Sequence, residues 1–196
     1  MHPILRNNLY LVKEQIGLFR ASRVYDVYDP PTGLPILRCS EPYLGPLTKL
    51  LRFTRFKQST PFDVHVTTPE GDPVVRVKRG SALFLSRVDV LDEADERVGG
   101  FCQQLFSLGG SFQVVGVDDQ PLCMLKGKWT GWNFKFMHED TVLAEVSRKW
   151  SGIGKELFTS ADNYILQISD AVPAENPLRI LIVGAVFCID MVLKNR

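Results

Sequence analysis

Residues 178–193 read Leu-Arg-Ile-Leu-Ile-Val-Gly-Ala-Val-Phe-Cys-Ile-Asp-Met-Val-Leu, an apolar segment whose only charged residues are Arg179 and Asp190. Pro177 precedes this segment and suits the first position of a helix. A helix that is apolar on every face has to be buried, either in protein or in lipid. Crossing a bilayer takes about 20 apolar residues, whereas the charge-free run 180–189 has only ten. We therefore predict a protein-buried helix over about 177–194, with a membrane span as the alternative.

The preceding sequence supplies the strands that would surround such a helix. Five pairs of alternating apolar and polar segments are joined by turns rich in Asp, Gly or Pro, the pattern of antiparallel hairpins. The pairs are 24–28 with 34–39, 62–66 with 74–78, 87–91 with 98–105, 112–117 with 122–125, and 132–136 with 142–146. Two further alternating segments, 9–14 and 163–168, bring the total to about twelve strands.

A sheet of twelve strands usually closes on itself, which also removes its exposed edges. The sequence therefore predicts a mainly β protein, a closed antiparallel barrel around the C-terminal helix, with a β-sandwich as the alternative. We expect one domain over residues 1–196, with strands between about 9 and 169 and a short helix at about 46–54.

Composition limits the class of protein. The chain has 45% hydrophobic and 23% charged residues and a net charge of +1. These values are typical of a globular protein and exclude a disordered chain and a multi-pass membrane protein. A near-zero net charge provides no global field towards nucleic acid, and no nucleic-acid partner is expected.

The cysteines and the N-terminus suggest the compartment. The four cysteines lack the CxxC spacing of metal and redox motifs, and residues 1–8 lack the features of a secretory signal. We expect reduced thiols in a cytoplasmic protein, or in one that lies peripherally at the inner face of a membrane.

The side chains that usually carry catalysis are scattered. His2, His65 and His138 are too few and too widely spaced for a metal triad. The glycines at 152 and 154 stand beside Lys155, but Glu156 occupies the place where a phosphate loop has Ser or Thr. We expect no enzyme activity, no catalytic residue, no metal and no cofactor.

One segment is a candidate binding site. Between Tyr43 and Phe62 there are four cations and no acid, and apolar residues alternate with the cations. The cations are Lys49, Arg52, Arg55 and Lys57. Apolar anchors beside cations suit an anionic phospholipid or phosphoinositide surface. The alternative is a helix that covers one end of the barrel and has a solvated charged side. A second basic stretch comprises Arg76, Lys78, Arg79 and Arg87.

Two C-terminal stretches resemble the signature of phospholipid scramblases. They are Ser-Ala-Asp-Asn-Tyr-Ile-Leu-Gln-Ile at 160–168 and Ile-Val-Gly-Ala-Val-Phe-Cys-Ile-Asp at 182–190. The stretches at 47–52, 60–64, 105–110 and 154–158 resemble the LURP-one-related branch of the same superfamily. The resemblance runs from about residue 9 to 194 and implies a tubby-like fold, a twelve-stranded barrel around a hydrophobic helix.

The resemblance also implies functions. Scramblases are associated with calcium-dependent movement of lipid between leaflets, and tubby proteins bind phosphoinositides. When the scramblase calcium segment is aligned on this chain, Ser160, Asp162, Tyr164, Ile168 and Ala171 occupy ligand positions. One carboxylate among these residues cannot supply the 6–8 oxygens that calcium prefers. We expect no tight calcium binding.

Three functions remain open from the sequence. The first is a non-enzymatic barrel of the scramblase or LURP-one-related type that binds anionic lipid from the cytosol. The second is a membrane-inserted phospholipid scramblase. The third is an intracellular module that presents its loops to a protein partner.

Overall fold

The computed structural model describes residues 1–15, 24–42, 61–80, 87–103, 111–128, 133–148 and 163–193. Within these ranges the chain forms twelve strands and one C-terminal α-helix, α1 (Leu178–Leu193). The strands are β1 Leu9–Gln15, β2 Val24–Tyr28, β3 Pro35–Ser40, β4 Phe62–Thr67, β5 Pro73–Arg79, β6 Arg87–Leu91, β7 Arg97–Gln103, β8 Phe112–Gly116, β9 Pro121–Lys128, β10 Asn133–His138, β11 Thr141–Ser147 and β12 Asn163–Ile168. A short 3-10 helix, Pro3–Arg6, precedes β1.

The strands form a closed antiparallel barrel in sequence order. Each strand pairs with its neighbours in the chain, and β1 closes the ring against β12, with Leu11 opposite Ile165. The predicted barrel is confirmed, and the sandwich alternative is wrong. The predicted short helix at 46–54 lies outside the described residues.

Alternation along each strand separates the inside of the barrel from the outside. In β4, Phe62, Val64 and Val66 are buried while Asp63 and His65 between them are partly exposed. Such a period of two is what a strand with one dry face and one wet face requires. The inward side chains form a single hydrophobic core with the side chains of α1.

Helix α1 begins where the sequence predicts. The Leu178 amide donates a hydrogen bond to the Asn176 side-chain oxygen at 2.9 Å, so Asn176 caps the helix and Pro177 follows it. The helix then enters the barrel, and the side chains from Ile180 to Val183 and from Ala185 to Phe187 are buried. The prediction of a protein-buried helix is confirmed for this part of α1.

Gly184 packs closely against the barrel wall. A Cβ atom at Gly184 would stand 3.2 Å from a Val90 methyl and 3.4 Å from a Val77 methyl. A Cβ atom at this position would therefore fit only if the Val90 methyl moved by a few tenths of an ångström. Among the helices that the described ranges contain, none is long and apolar enough to cross a membrane.

Candidate functional site

The topology gives the barrel two different ends. Because sequential strands run antiparallel, alternate connections lie at opposite ends of the barrel. One end, which we call the turn end, contains the turns 29–34, 68–72, 92–96, 117–120 and 139–140 and the segment 169–177. We call the opposite end the loop end. At this end the strands are joined by the connections 16–23, 41–61, 80–86, 104–111, 129–132 and 148–162.

The turn end is acidic. Its six segments, all within the described ranges, contain thirteen Asp and Glu residues and no Lys or Arg. These residues are Asp29, Glu70, Asp72, Asp92, Glu93, Asp95, Glu96, Asp118, Asp119, Glu139, Asp140, Asp170 and Glu175. Turn geometry explains part of this composition, because Asp95, Asp119 and Glu139 have positive φ angles of 64°, 60° and 52°. Asp is one of the few residue types that adopts this left-handed conformation readily.

Four of these acids have a cationic partner. Asp95 pairs with Arg76, Asp119 with Arg87 and Arg97, and Glu175 with Arg6. Glu93 contacts the amino group of Met1 at 2.7 Å. For the other nine, the described part of the structure contains no cation within ion-pair distance. The turn end therefore keeps a large excess of negative charge.

The predicted lipid-binding residues belong to a loop-end connection. Lys49, Arg52, Arg55 and Lys57 all lie outside the described residues, but both attachment points of their connection are described. Ser40 at the end of β3 is opposite His65 of β4, and the Asp63 amide donates a hydrogen bond to the Glu41 carboxylate at 3.3 Å. The chain thus leaves and re-enters the barrel at the loop end. The lipid-binding role of the four cations stays a prediction.

The second basic stretch is not a free patch. The guanidinium of Arg76 donates to both carboxylate oxygens of Asp63, at 2.9 and 2.7 Å, and to both of Asp95. Arg87 pairs with Asp89 and Asp119. Arg79 is only 4% exposed and lies over the Phe62 ring, 4.8 Å from its centroid. Three of the four cations therefore stabilise the barrel wall and are already engaged.

These ion pairs shift the protonation of the acids. Burial disfavours the charged form of Asp63, but the two hydrogen bonds from Arg76 outweigh it, so the pKa of Asp63 is lowered. Hydrogen bonds from Arg87 and Arg97 likewise lower the pKa of Asp119. Arg97 also donates to Asp89 at 2.9 Å, so β6, β7 and the 117–120 turn share one ionic network.

Within the segment aligned with the scramblase calcium site, residues 163–168 form strand β12 of the barrel wall. Tyr164 and Ile168, at two of the ligand positions, are each 2% exposed and belong to the hydrophobic core. Ser160 and Asp162 lie outside the described residues. No group of three His, Cys, Asp or Glu residues with metal-binding geometry occurs in the described ranges. Weak or absent calcium binding stays a prediction.

Three of the four cysteines have side chains that the structure describes. Cys39, Cys102 and Cys123 are free thiols, and Cys39 and Cys123 are buried. Burial raises the pKa of the Cys123 thiol to about 12, so it stays protonated at neutral pH. For Cys123 the environment suits packing and disfavours nucleophilic chemistry.

Arg179 interrupts the apolar sequence of α1 and has a structural role that the sequence alone does not predict. Arg179 is 2% exposed and stands one residue into α1, at the turn end. Its guanidinium donates to the backbone oxygens of Asn7 at 2.9 Å and Val172 at 2.8 Å, and to the Asn8 side-chain oxygen at 2.7 Å. Arg179 thus ties the start of the helix to the N-terminal segment. Arg179 is the one cation in the largely apolar sequence of α1, and this isolated positive charge is the signal that could have identified the residue.

The architecture and the comparisons with known proteins agree on the class. A closed twelve-stranded antiparallel barrel around one hydrophobic C-terminal helix is the tubby-like fold. The crystal structure of an Arabidopsis thaliana protein matches with a TM-score of 0.50 and 12% identity, covering 95% of this chain and 96% of that protein. At this identity the match is evidence for the fold alone.

The sequence comparison identifies the family. The Scramblase family model matches residues 23–195, so the chain belongs to the scramblase family. Phospholipid scramblase 1 of Mus musculus and that of Rattus norvegicus are each 32% identical to it over 62 residues. That match covers 32% of this chain but only 18% of either relative.

Proposed function

We propose that this scramblase-family barrel binds anionic membrane lipid peripherally, from the cytosolic side, and catalyses no covalent reaction. The contact is made through the 46–57 segment, with Lys49, Arg52, Arg55 and Lys57 as the lipid-facing cations. The observation that carries the proposal is topological. The described ends of the connection that contains this segment are attached at the loop end, which is the opposite end of the barrel from the acidic turns.

The use of α1 favours peripheral binding over insertion. Six large apolar side chains of α1 are buried in the core: Ile180, Leu181, Ile182, Val183, Val186 and Phe187. At about 1.5–3 kcal/mol each, they contribute roughly 9–18 kcal/mol as an upper bound. A domain of ordinary stability has about 5–15 kcal/mol in total. Moving α1 into a bilayer would therefore unfold the barrel.

The expected electrostatic gain is measurable. A Lys or Arg near an anionic surface contributes about 1 kcal/mol. The four cations together contribute about 4 kcal/mol, which corresponds to nearly a thousandfold in affinity. The Debye length is about 8 Å at physiological ionic strength, so added salt should weaken the binding.

Cosedimentation with vesicles tests the proposal. The vesicles contain phosphatidylserine or a phosphoinositide in a phosphatidylcholine background, and the test variant carries Gln at positions 49, 52, 55 and 57. The matched control replaces four partly or fully exposed cations of the barrel wall with Gln: Lys13, Arg38, Lys126 and Lys135. Both variants lose the same net charge. We expect the test variant to lose binding and the control to retain most of it.

Two results would contradict the proposal. Equal binding by the test variant and the wild type would assign the segment to packing. No binding by the wild type would favour the alternative of a module that binds a protein partner.

Family membership favours lipid movement between leaflets as the second candidate function. It is tested separately, with fluorescent lipid in proteoliposomes and a reducing agent that reaches only the outer leaflet. Loss of more than half of the fluorescence, with and without calcium, would indicate scrambling. Retention of half would leave lipid binding as the function.

A further inference from the structure

The two ends of the barrel differ strongly in charge, although the net charge of the chain is only +1. The six described turn-end segments contain thirteen acids and no Lys or Arg. The described cations that reach these acids are Arg6, Arg76, Arg87, Arg97 and the Met1 amino group, and together they pair with four of the thirteen. The sequences of the loop-end connections contain nine Lys and Arg residues but only three acids, and all three tryptophans. The cations are Arg20, Arg23, Lys49, Arg52, Arg55, Lys57, Arg148, Lys149 and Lys155. The acids are Glu41, Glu156 and Asp162, and the tryptophans are Trp129, Trp132 and Trp150.

Nine of the thirteen carboxylates of the turn end have no cationic partner within the described ranges. Six of them are exposed, make no side-chain hydrogen bond and have no cationic partner among the residues that the structure describes. They are Glu70, Asp72, Glu96, Asp118, Glu139 and Asp140. They come from four different turns, so they are distributed around the rim of the turn end. Any anionic surface that approaches this end meets several of them at once.

The dimensions of the barrel make this asymmetry effective. Strands of about six residues at about 3.3 Å per residue, tilted as in a barrel, separate the two ends by about 15–20 Å. The Debye length is about 8 Å at physiological salt. When the loop end touches a membrane, the acids of the turn end are therefore screened from it. In the inverted pose they lie within one Debye length of the lipid headgroups.

We propose that the barrel meets an anionic bilayer in one orientation only, with the loop end against the lipid and the turn end directed to the solution. This inference rests on the proposed lipid binding and adds that the turn end acts as a repulsive element. Each carboxylate held within a Debye length weakens the inverted pose by about fivefold, the counterpart of the gain from one cation. Several unpaired carboxylates together exclude that pose.

A pair of fluorescent probes tests the orientation. Val117 is 58% exposed in a turn of the turn end, and Asn133 is exposed at the loop-end terminus of β10. Single V117C and N133C variants in a C102S background carry a thiol-reactive fluorophore, because Cys39 and Cys123 are buried. The C102S protein, labelled in parallel, corrects for any reaction at the remaining cysteine. Brominated lipid in phosphatidylserine vesicles then quenches whichever probe lies near the bilayer.

We expect strong quenching at position 133 and little at position 117. A second variant neutralises the six unpaired carboxylates as E70Q, D72N, E96Q, D118N, E139Q and D140N. In that background the probe at position 117 should also be quenched, because the inverted pose becomes accessible. A thermal melt confirms that the variant is folded, and high salt should reduce the difference between the two probes.

The outcomes separate this inference from the proposed function. Vesicle binding with equal quenching at both positions, or with quenching at 117 alone, would overturn the single orientation and leave lipid binding intact. Neutralisation of the six acids without any change at position 117 would overturn the repulsive role. Absence of vesicle binding by the wild type would overturn the proposed function and this inference together.

Discussion

Replacing Arg179 with Met should destabilise the barrel more than any single change on its outer surface. Arg179 donates hydrogen bonds to five backbone oxygens and one side-chain oxygen. The acceptors are the backbone oxygens of Leu5, Arg6, Asn7, Val172 and Pro173 and the Asn8 side-chain oxygen. Met has similar length and apolar volume but no donor, so it isolates the loss of these bonds.

The magnitude follows from the burial of the acceptors. The bonds to the oxygens of Leu5 and Val172 are buried, so the substitution leaves these two groups without a donor. An unsatisfied buried polar group costs about 1–3 kcal/mol, which gives about 2–6 kcal/mol for the two. The other acceptors are partly exposed and can bind water instead. For a chain of this size each kcal/mol lowers the melting temperature by about 2–4 °C, so the expected shift is about 4–24 °C.

Urea denaturation followed by far-UV circular dichroism measures the effect. The control is Arg6→Met, since Arg6 pairs with Glu175 at 2.8 Å on the surface, where such a pair contributes less than about 1 kcal/mol. Arg179→Lys should fall between the two, because Lys keeps the charge but has fewer donors and a different geometry. If Arg179→Met were no less stable than Arg6→Met, the bonds of Arg179 would have no net value and the reasoning would be refuted.

Three further predictions concern the helix, calcium and pH. Deletion of residues 178–196 removes the centre of the core, so size-exclusion chromatography should show an aggregated chain; a soluble protein with an unchanged melt would contradict the central role of α1. Calorimetry at millimolar calcium should show no saturable heat, because Tyr164 and Ile168 are buried in the core; a micromolar dissociation constant removed by Asp162→Ala would prove this wrong. Because the pKa of Asp63 is lowered in the folded state, its ion pair with Arg76 adds stability above the unfolded-state pKa of about 4, and this contribution is lost as the pH falls through the folded-state pKa. Asp63→Asn should therefore lower stability at pH 7 and reduce its loss in acid, and an identical pH dependence of the variant and wild type would rule out this contribution.

Several features of the fold were predictable because their signals are local. The period of two in segments such as 62–66 reports a strand with one buried face, and that face is the one the core uses. The charge-free run 180–189 is too short to cross a bilayer, which predicted burial in protein. The structure places the described side chains of that run inside the barrel. The number of alternating segments already favoured a closed sheet around the helix, and the family resemblance agreed with both features.

The candidate site was only partly predictable. The basic character of the 46–57 segment is visible in the sequence, and its function stays a prediction. The ion-pair partners of the second basic stretch could not be predicted from the order of charges along the chain. In β5, Arg79 shares its face with Val75 and Val77, so the period of two already indicates that Arg79 points inward. The partners of Arg76 lie in β4 and in the 92–96 turn, which no spacing along the chain brings together.

The sequence by itself determined the hairpins, the acidic turns between their strands and the apolar helix, because each depends on residues that are close in the chain. Only the tertiary structure decided that six acidic segments lie at one end of the barrel and that Arg179 bonds the N-terminal segment. The physical reason is that strand order and closure assign each turn to an end, and a buried guanidinium is satisfied by whichever carbonyl groups the closed barrel brings to it.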